Sequence, residues 1–144
     1  MPTADTILRA FDDAGYRVTE PRRRLADLIG RQSGHFTADD LIAESRRRHL
    51  GVGRATVFRS LDVLAELGVV ERLDLPSGDH ALVACEAAHH HHVVCSRCGR
   101  STDIADSGLA AIIADVGRRS GYQIDSHRLE LFGLCPSCQA RPAG

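Results

Sequence analysis

Two CxxC pairs, Cys95-Ser96-Arg97-Cys98 and Cys135-Pro136-Ser137-Cys138, stand 36 residues apart and limit how the C-terminal part of this chain can fold. Each pair holds two thiols in one short turn. Bringing the two turns together places four thiolates around one point, the ligand set of a closed tetrahedral zinc site. Disulfides are the competing use of four cysteines, but nothing in the sequence points to secretion, and thiols in a reducing cytosol stay free. The 60 residues from 85 to 144 bury too little apolar surface to be stable alone, so a zinc clip and a partner subunit are both expected.

With only 4% aromatic residues and no Trp, any core must be aliphatic. No run approaches the roughly 18 apolar residues of a membrane helix, and the N-terminus lacks a basic-then-apolar signal pattern. A cytoplasmic protein without a membrane partner is expected. The net charge of −1 is uninformative, and all 18 basic residues are arginine. Their distribution says more. Arg46, Arg47, Arg48, Arg54 and Arg59 lie in a stretch, Ser45 to Leu61, with no acidic residue, and Arg17, Arg22, Arg23 and Arg24 cluster around Glu20 alone. Local positive patches on a neutral chain suit phosphate contact.

Hydrophobic periodicity divides the chain in two. Thr3 can cap a helix carrying Ile7, Leu8 and Phe11 and ending at Gly15, and Thr19 can cap a second with Leu25, Leu28 and Ile29 inward. Thr37 with Asp40 forms a capping box for a third helix that buries Leu41 and ends near Gly51. Gly53 opens a fourth, with Val57, Leu61, Leu64 and Leu67 inward and Gly68 as its stop. The period then becomes extended: Val69 to Leu75, a Pro76-to-Asp79 turn, and Ala81 to Ala84 predict a hairpin. Helices followed by a hairpin describe a winged helix-turn-helix over residues 1–84. Its fourth helix is the major-groove reader, offering Arg54, Thr56, Arg59 and Ser60 outward.

From residue 85 to 144 the reading is a second, zinc-binding domain. Ile104, Leu109, Ile112, Ile113 and Val116 follow a helical rhythm, and Leu129, Leu131 and Leu134 alternate as in a strand. The fifth cysteine, Cys85, is followed by His89, His90, His91 and His92. In extended chain, His90 and His92 point one way while His89 and His91 point the other, so one stretch can serve two metal sites.

Together, Tyr16-Arg17-Val18-Thr19-Glu20-Pro21-Arg22, His35-Phe36-Thr37-Ala38-Asp39-Asp40-Leu41, Arg54-Ala55-Thr56-Val57-Phe58-Arg59, the segment from His89 to Gly99 and the closing Cys pair resemble the ferric-uptake-regulator family over nearly the whole chain. The resemblance implies an α+β homodimer. An N-terminal winged helix-turn-helix domain is followed by a small α/β dimerisation domain stapled by the four-cysteine zinc site, and the metal-loaded dimer binds pseudo-palindromic double-stranded operator DNA. Arg17, Thr19, Arg22, Arg54, Thr56, Phe58 and Arg59 are its DNA-contact candidates, with Phe58 standing where the family commonly has tyrosine.

The family's iron-sensing hinge uses histidines at the places of His35, His90 and His92, whereas its zinc-uptake branch has a cysteine at Cys85 and a carboxylate at Glu71. This chain carries both sets, and Glu71, Cys85, His90 and His92 are the choice for a regulatory zinc. A thiolate with imidazoles and one carboxylate suits four-coordinate zinc, while ferrous iron prefers more oxygen and nitrogen. A possible third site would use His89, His91 and His127. Its usual carboxylate is replaced by Ala110, for which Asp106 can substitute. The resulting expectation is a zinc-loaded repressor of metal-uptake genes, with no small-molecule substrate.

Iron, nickel, manganese or peroxide sensing is the alternative within the family. A zinc hydrolase or a zinc-stapled interaction module is the alternative outside it. The hydrolase lacks any HExxH or HxE…PCxxC pattern. His49 and His80 are expected to be solvated.

Overall fold

Three helices of the N-terminal part start where a capping side chain or the fixed φ of a proline favours the first turn. In the computed structural model, which describes residues 2–85, 91–104 and 108–142, the Thr6 amide donates to Thr3 Oγ1 at 3.2 Å. That cap opens α1 (Ala4–Asp13), which buries Ile7 and Phe11. Thr19 holds the cap position of α2 (Glu20–Gly30), but its side chain makes no capping hydrogen bond, contrary to expectation. Extended backbone at Thr19 and the preset φ of Pro21 in the first turn start this helix instead. The capping box of α3 (Ala38–Arg47) is complete: Asp40 N donates to Thr37 Oγ1 at 3.1 Å and Thr37 N to Asp40 Oδ2 at 2.8 Å.

α3 stops at Arg47, short of Gly51, because Leu50 N closes back onto Ser45 O at 2.9 Å. The chain then passes through left-handed backbone at His49 (φ 53°) and Gly51 (φ 67°). The buried Ser45 hydroxyl accepts from Val52 N at 3.1 Å and fixes the turn into α4 (Arg54–Glu66). Val57, Ser60, Leu61 and Leu64 form the buried stripe of α4. Ser60 was expected outward but is only 1% exposed, since it lies three residues after Val57 and four before Leu64 on one face. Leu67 is the C-cap and half-buried rather than fully inward.

The hairpin forms as expected. β1 (Val70–Asp74) and β2 (His80–Ala84) pair antiparallel, from Val70 opposite Ala84 to Asp74 opposite His80. Phe36 adds a rung that the periodicity did not announce: its N donates to Leu82 O at 2.8 Å and Leu82 N returns the bond at 2.7 Å. This ties the α2–α3 connection to the wing and holds the Phe36 ring in the core.

The chain clusters into two compact units, Met1–Ala88 and His89–Gly144. In the second, β3 (His91–Cys95) is central, antiparallel to β4 (Ser101–Ile104) and parallel to β5 (Glu130–Gly133). α5 (Leu109–Ser120) and the short α6 (Pro136–Gln139) complete it. Ile104 belongs to β4, not to the helix its spacing implied, because it pairs with His91 across the sheet. Among the described residues this unit buries only His91, His92, Val94, Cys95 and Cys138. No helix of the described residues is long and apolar enough to cross a membrane.

Phe36→Ala should cost about 3–5 kcal/mol, the usual range for a buried phenylalanine, measured as a lower urea midpoint by helical circular dichroism. A loss below about 1 kcal/mol would show that the Phe36 ring does not help hold the wing against the core.

Candidate metal centres and nucleic-acid interface

The first thiol pair grows out of the end of β3. Cys95 N donates to Arg100 O at 2.8 Å and Gly99 N to Cys95 O at 2.9 Å, a tight turn that Gly99 completes with φ 74°. The second pair caps and enters α6: Cys135 is its N-cap, Pro136 presets the first turn, and Cys138 N bonds Cys135 O at 2.9 Å. Ser96 N donates to Gly133 O at 2.8 Å and so joins the first turn to β5. All five cysteines of the chain are free thiols. Those of Cys95, Cys98, Cys135 and Cys138 lie within 4.8 Å of one another.

The spacing fits zinc. A tetrahedron with Zn–S of about 2.3 Å has S···S edges of about 3.8 Å, and Cys98 Sγ and Cys135 Sγ are 3.8 Å apart. The Cys135 amide, donating to Cys95 Sγ at 3.4 Å, pulls the Cys95 thiol down to about 6, with the amides of Cys98 and Arg97 adding to it. The Cys138 amide lowers Cys135 in the same way. Cys138 keeps its proton, pushed up to about 12 by its hydrogen bond to Cys135 and by burial. Arg97 donates from one guanidinium nitrogen to the carbonyls of both Cys138 and Arg141, locking one thiol turn to the other. Motif spacing did not single out Arg97.

On the hairpin, Glu71 stands opposite Val83, and Cys85 is two residues further along the same strand direction. Diagonal neighbours share a face, and Cys85 N extends the ladder by donating to Val69 O at 2.9 Å. The Glu71 carboxylate and the Cys85 thiol accordingly lie within 4.8 Å of each other, Cys85 buried and Glu71 exposed. His35, half-buried on the same unit, does not join that pair at this range. In the second unit, His92 Nδ1 is 3.0 Å from Asp103 Oδ1, its register partner on β4. The carboxylate fixes ring orientation and commits one imidazole nitrogen. Asp103 was not picked out from the sequence, since only the strand pairing sets it against His92.

His91 leaves the opposite face of β3. Its Nε2 lies 3.3 Å from His127 Nε2, close to the roughly 3.3 Å edge expected for two imidazoles on a zinc with Zn–N of about 2.0–2.1 Å. His127 and Ala110 line one groove of about 570 Å³ with Ile113, Gly117, Tyr122 and Ile124, so the position that lacks a carboxylate opens into space. His89, His90 and Asp106 lie outside the described residues. His80 is exposed but paired, with Nδ1 2.6 Å from Asp74 Oδ1, and His49 is exposed.

On α4 the outward face carries Arg54, Ala55, Phe58 and Arg59, with Thr56 half-buried. The stretch that reads as free of acids is partly neutralised from elsewhere in the fold. Arg47 pairs with Glu44, Arg48 approaches Asp27, and Arg54 pairs with Asp39. Arg22 lies over the Phe11 and Tyr16 rings at 5.0 and 5.6 Å and donates to Arg17 O at 2.6 Å, which braces the α1–α2 connection. The side chains of Arg17 and Arg59 make no ion pair among the described residues.

Residues 13–132 match the model of the ferric uptake regulator family. A ferric uptake regulation protein of Neisseria gonorrhoeae is 29% identical over 130 residues, covering 90% of each chain. A zinc uptake regulation protein of Mycobacterium tuberculosis is 34% identical over 127 residues, covering 88% of this chain and 98% of its own. Among solved structures, a zinc uptake regulator complexed with zinc and DNA superposes with a TM-score of 0.74 at 24% identity, covering 96% of this chain and 97% of its own.

Cys95→Ser or Cys138→Ser should each lose one zinc per chain and unfold the second unit, because the metal's binding free energy is folding free energy in a unit with so small a core. Native mass spectrometry with near-UV circular dichroism reads both. Zinc-free mutants that keep a folded second unit would refute the assignment.

Proposed function

This chain belongs to the ferric uptake regulator family, metal-responsive transcription regulators rather than enzymes. From that premise we propose that it is a zinc-loaded homodimeric repressor that binds a palindromic operator and controls metal-uptake genes. The observation that carries the choice of zinc is the Cys85 thiol beside the Glu71 carboxylate on one face of the hairpin. Glu71, Cys85, His90 and His92 are the proposed sensor ligands, and a thiolate among them favours zinc over ferrous iron. The zinc uptake regulation protein of Mycobacterium tuberculosis, at 34% identity, supports the same choice.

Zinc, when bound, would supply a cross-link between the hairpin and the segment that follows it. Glu71 and Cys85 would be its ligands on the hairpin, and in the second unit Asp103 orients the His92 ring through its contact with Nδ1. A dimer reading successive major grooves needs its recognition helices about 34 Å apart, and metal that binds one conformation better would raise the population with that spacing. The dimer is supported by α5, which has no buried residue, and by the exposed apolar side chains of Ile112, Val116, Leu131 and Leu134. DNA contact is supported by Arg54, Thr56, Phe58 and Arg59 on α4, together with Arg17, Thr19 and Arg22 where α2 begins. His91 and His127, with His89, support a third zinc site weakened by Ala110.

The ferric uptake relatives keep iron sensing as the second reading, with His35 as its marker. Cys85→Ser should leave the four-thiolate zinc and the dimer intact yet remove the zinc stimulation of DNA binding, a coupling on the order of 5–150-fold, read by fluorescence anisotropy with and without zinc. His92→Ala should match it, Glu71→Ala should be milder, and His35→Ala should change little. A normal zinc response in Cys85→Ser with a lost response in His35→Ala would transfer the assignment to an iron or nickel sensor.

A further inference from the structure

Arg54 is the first residue of α4, and two neighbours hold its side chain in place. Its Nη1 donates to Asp39 Oδ1, in the first turn of α3, at 3.1 Å. Its guanidinium carbon lies 5.0 Å from the centre of the Phe58 ring, one turn further along α4. All three side chains face solvent, with Arg54 63% and Asp39 75% exposed, and Phe58 41% exposed. An ion pair this exposed adds little stability. Its effect is to restrict a long side chain that would otherwise sample many rotamers.

The remaining donors have a defined geometry. A guanidinium carries five N–H groups in a rigid plane. The Asp39 carboxylate engages the Nη1 end and the Phe58 ring covers one face. The Nε–Nη2 edge, with two parallel N–H vectors, makes no hydrogen bond among the described residues. Two parallel donors match the N7 and O6 acceptors that guanine presents in the major groove, and the first turn of a recognition helix is where base edges are met. A phosphate is a poor fit for this group, since the Asp39 charge beside it offsets the attraction. Arg17, with no acidic partner among the described residues, suits a phosphate better.

Resting on the DNA-binding function proposed above, we infer that Arg54 is the guanine-reading residue of α4, pre-set for that contact by Asp39 and Phe58. The test is selection of a random-sequence duplex library by the zinc-loaded protein, followed by binding isotherms at several salt concentrations. The wild type should enrich a guanine at one position in each half-site. Arg54→Lys keeps the charge but loses the planar fork, and should reduce preference at that position by on the order of 10-fold or more without changing the salt slope. Asp39→Asn should relax the same position part of the way. A uniform loss across all sequences with a shallower salt slope would make Arg54 a phosphate contact and overturn the inference. An unchanged base preference with a lowered melting temperature would make the pair a helix staple and overturn it too. If the wild type enriches no DNA, the repressor function itself fails, an outcome distinct from either.

Discussion

With His91, His92, Val94, Cys95 and Cys138 as its buried set among the described residues, the C-terminal unit has no aliphatic core able to offset the entropy of ordering its backbone. The cross-link between its two thiol turns must do that work. β3 delivers Cys95, Cys135 caps α6, and Ser96 reaches β5, so each strand or helix end is registered to the others through the sulfur cluster. Amides aimed at Cys95 and Cys135 favour their thiolates before any ion arrives. Arg97, donating to Cys138 O, adds a separate hydrogen-bonded tie between the same two turns. The apolar face left on α5 and β5 follows from the same shortage: a unit this small has no second layer of its own to cover Ile112, Val116 and Leu131.

The N-terminal unit solves the opposite problem, since it has a full core and must keep selected groups out of it. α4 does so by strict periodicity, with Val57, Ser60, Leu61 and Leu64 turned inward and Arg54, Phe58 and Arg59 left outside. The wing is pinned by Phe36, whose two bonds to Leu82 continue the hairpin into a third short rung. That pinning bears on chemistry as well as packing. A hairpin held in register keeps Glu71 and Cys85 on one face, and a slip of one residue would send them to opposite sides.

Much of this was legible in order along the chain. The four helices and the hairpin follow from capping residues, glycine stops and a change of period, all local properties. The four-thiol cluster was equally readable, because CxxC spacing constrains ligand geometry within a single turn and zinc supplies the rest. Where local reading failed, a neighbour distant in sequence was the usual cause. Ile104 fits a helical rhythm but pairs with His91 in a sheet. The acids that neutralise Arg48 and Arg54 come from α2 and from the start of α3. Other misses were local: the polarity of Ser60 suggests a surface residue until the inward stripe of α4 is counted from Val57, Thr19 makes no capping bond, and α3 closes through Leu50 before Gly51.

By itself the sequence determined which chemistry the chain can offer: thiols for zinc, alternating histidines for two faces, and a helix rich in arginine. Tertiary structure alone decided which of those groups act together. It set Asp103 against His92 and Asp39 against Arg54, pairings that no spacing announces. The physical reason is that periodicity reports the face from which a side chain leaves its own element. What it meets there depends on strand register and helix packing, which the whole folded chain sets at once.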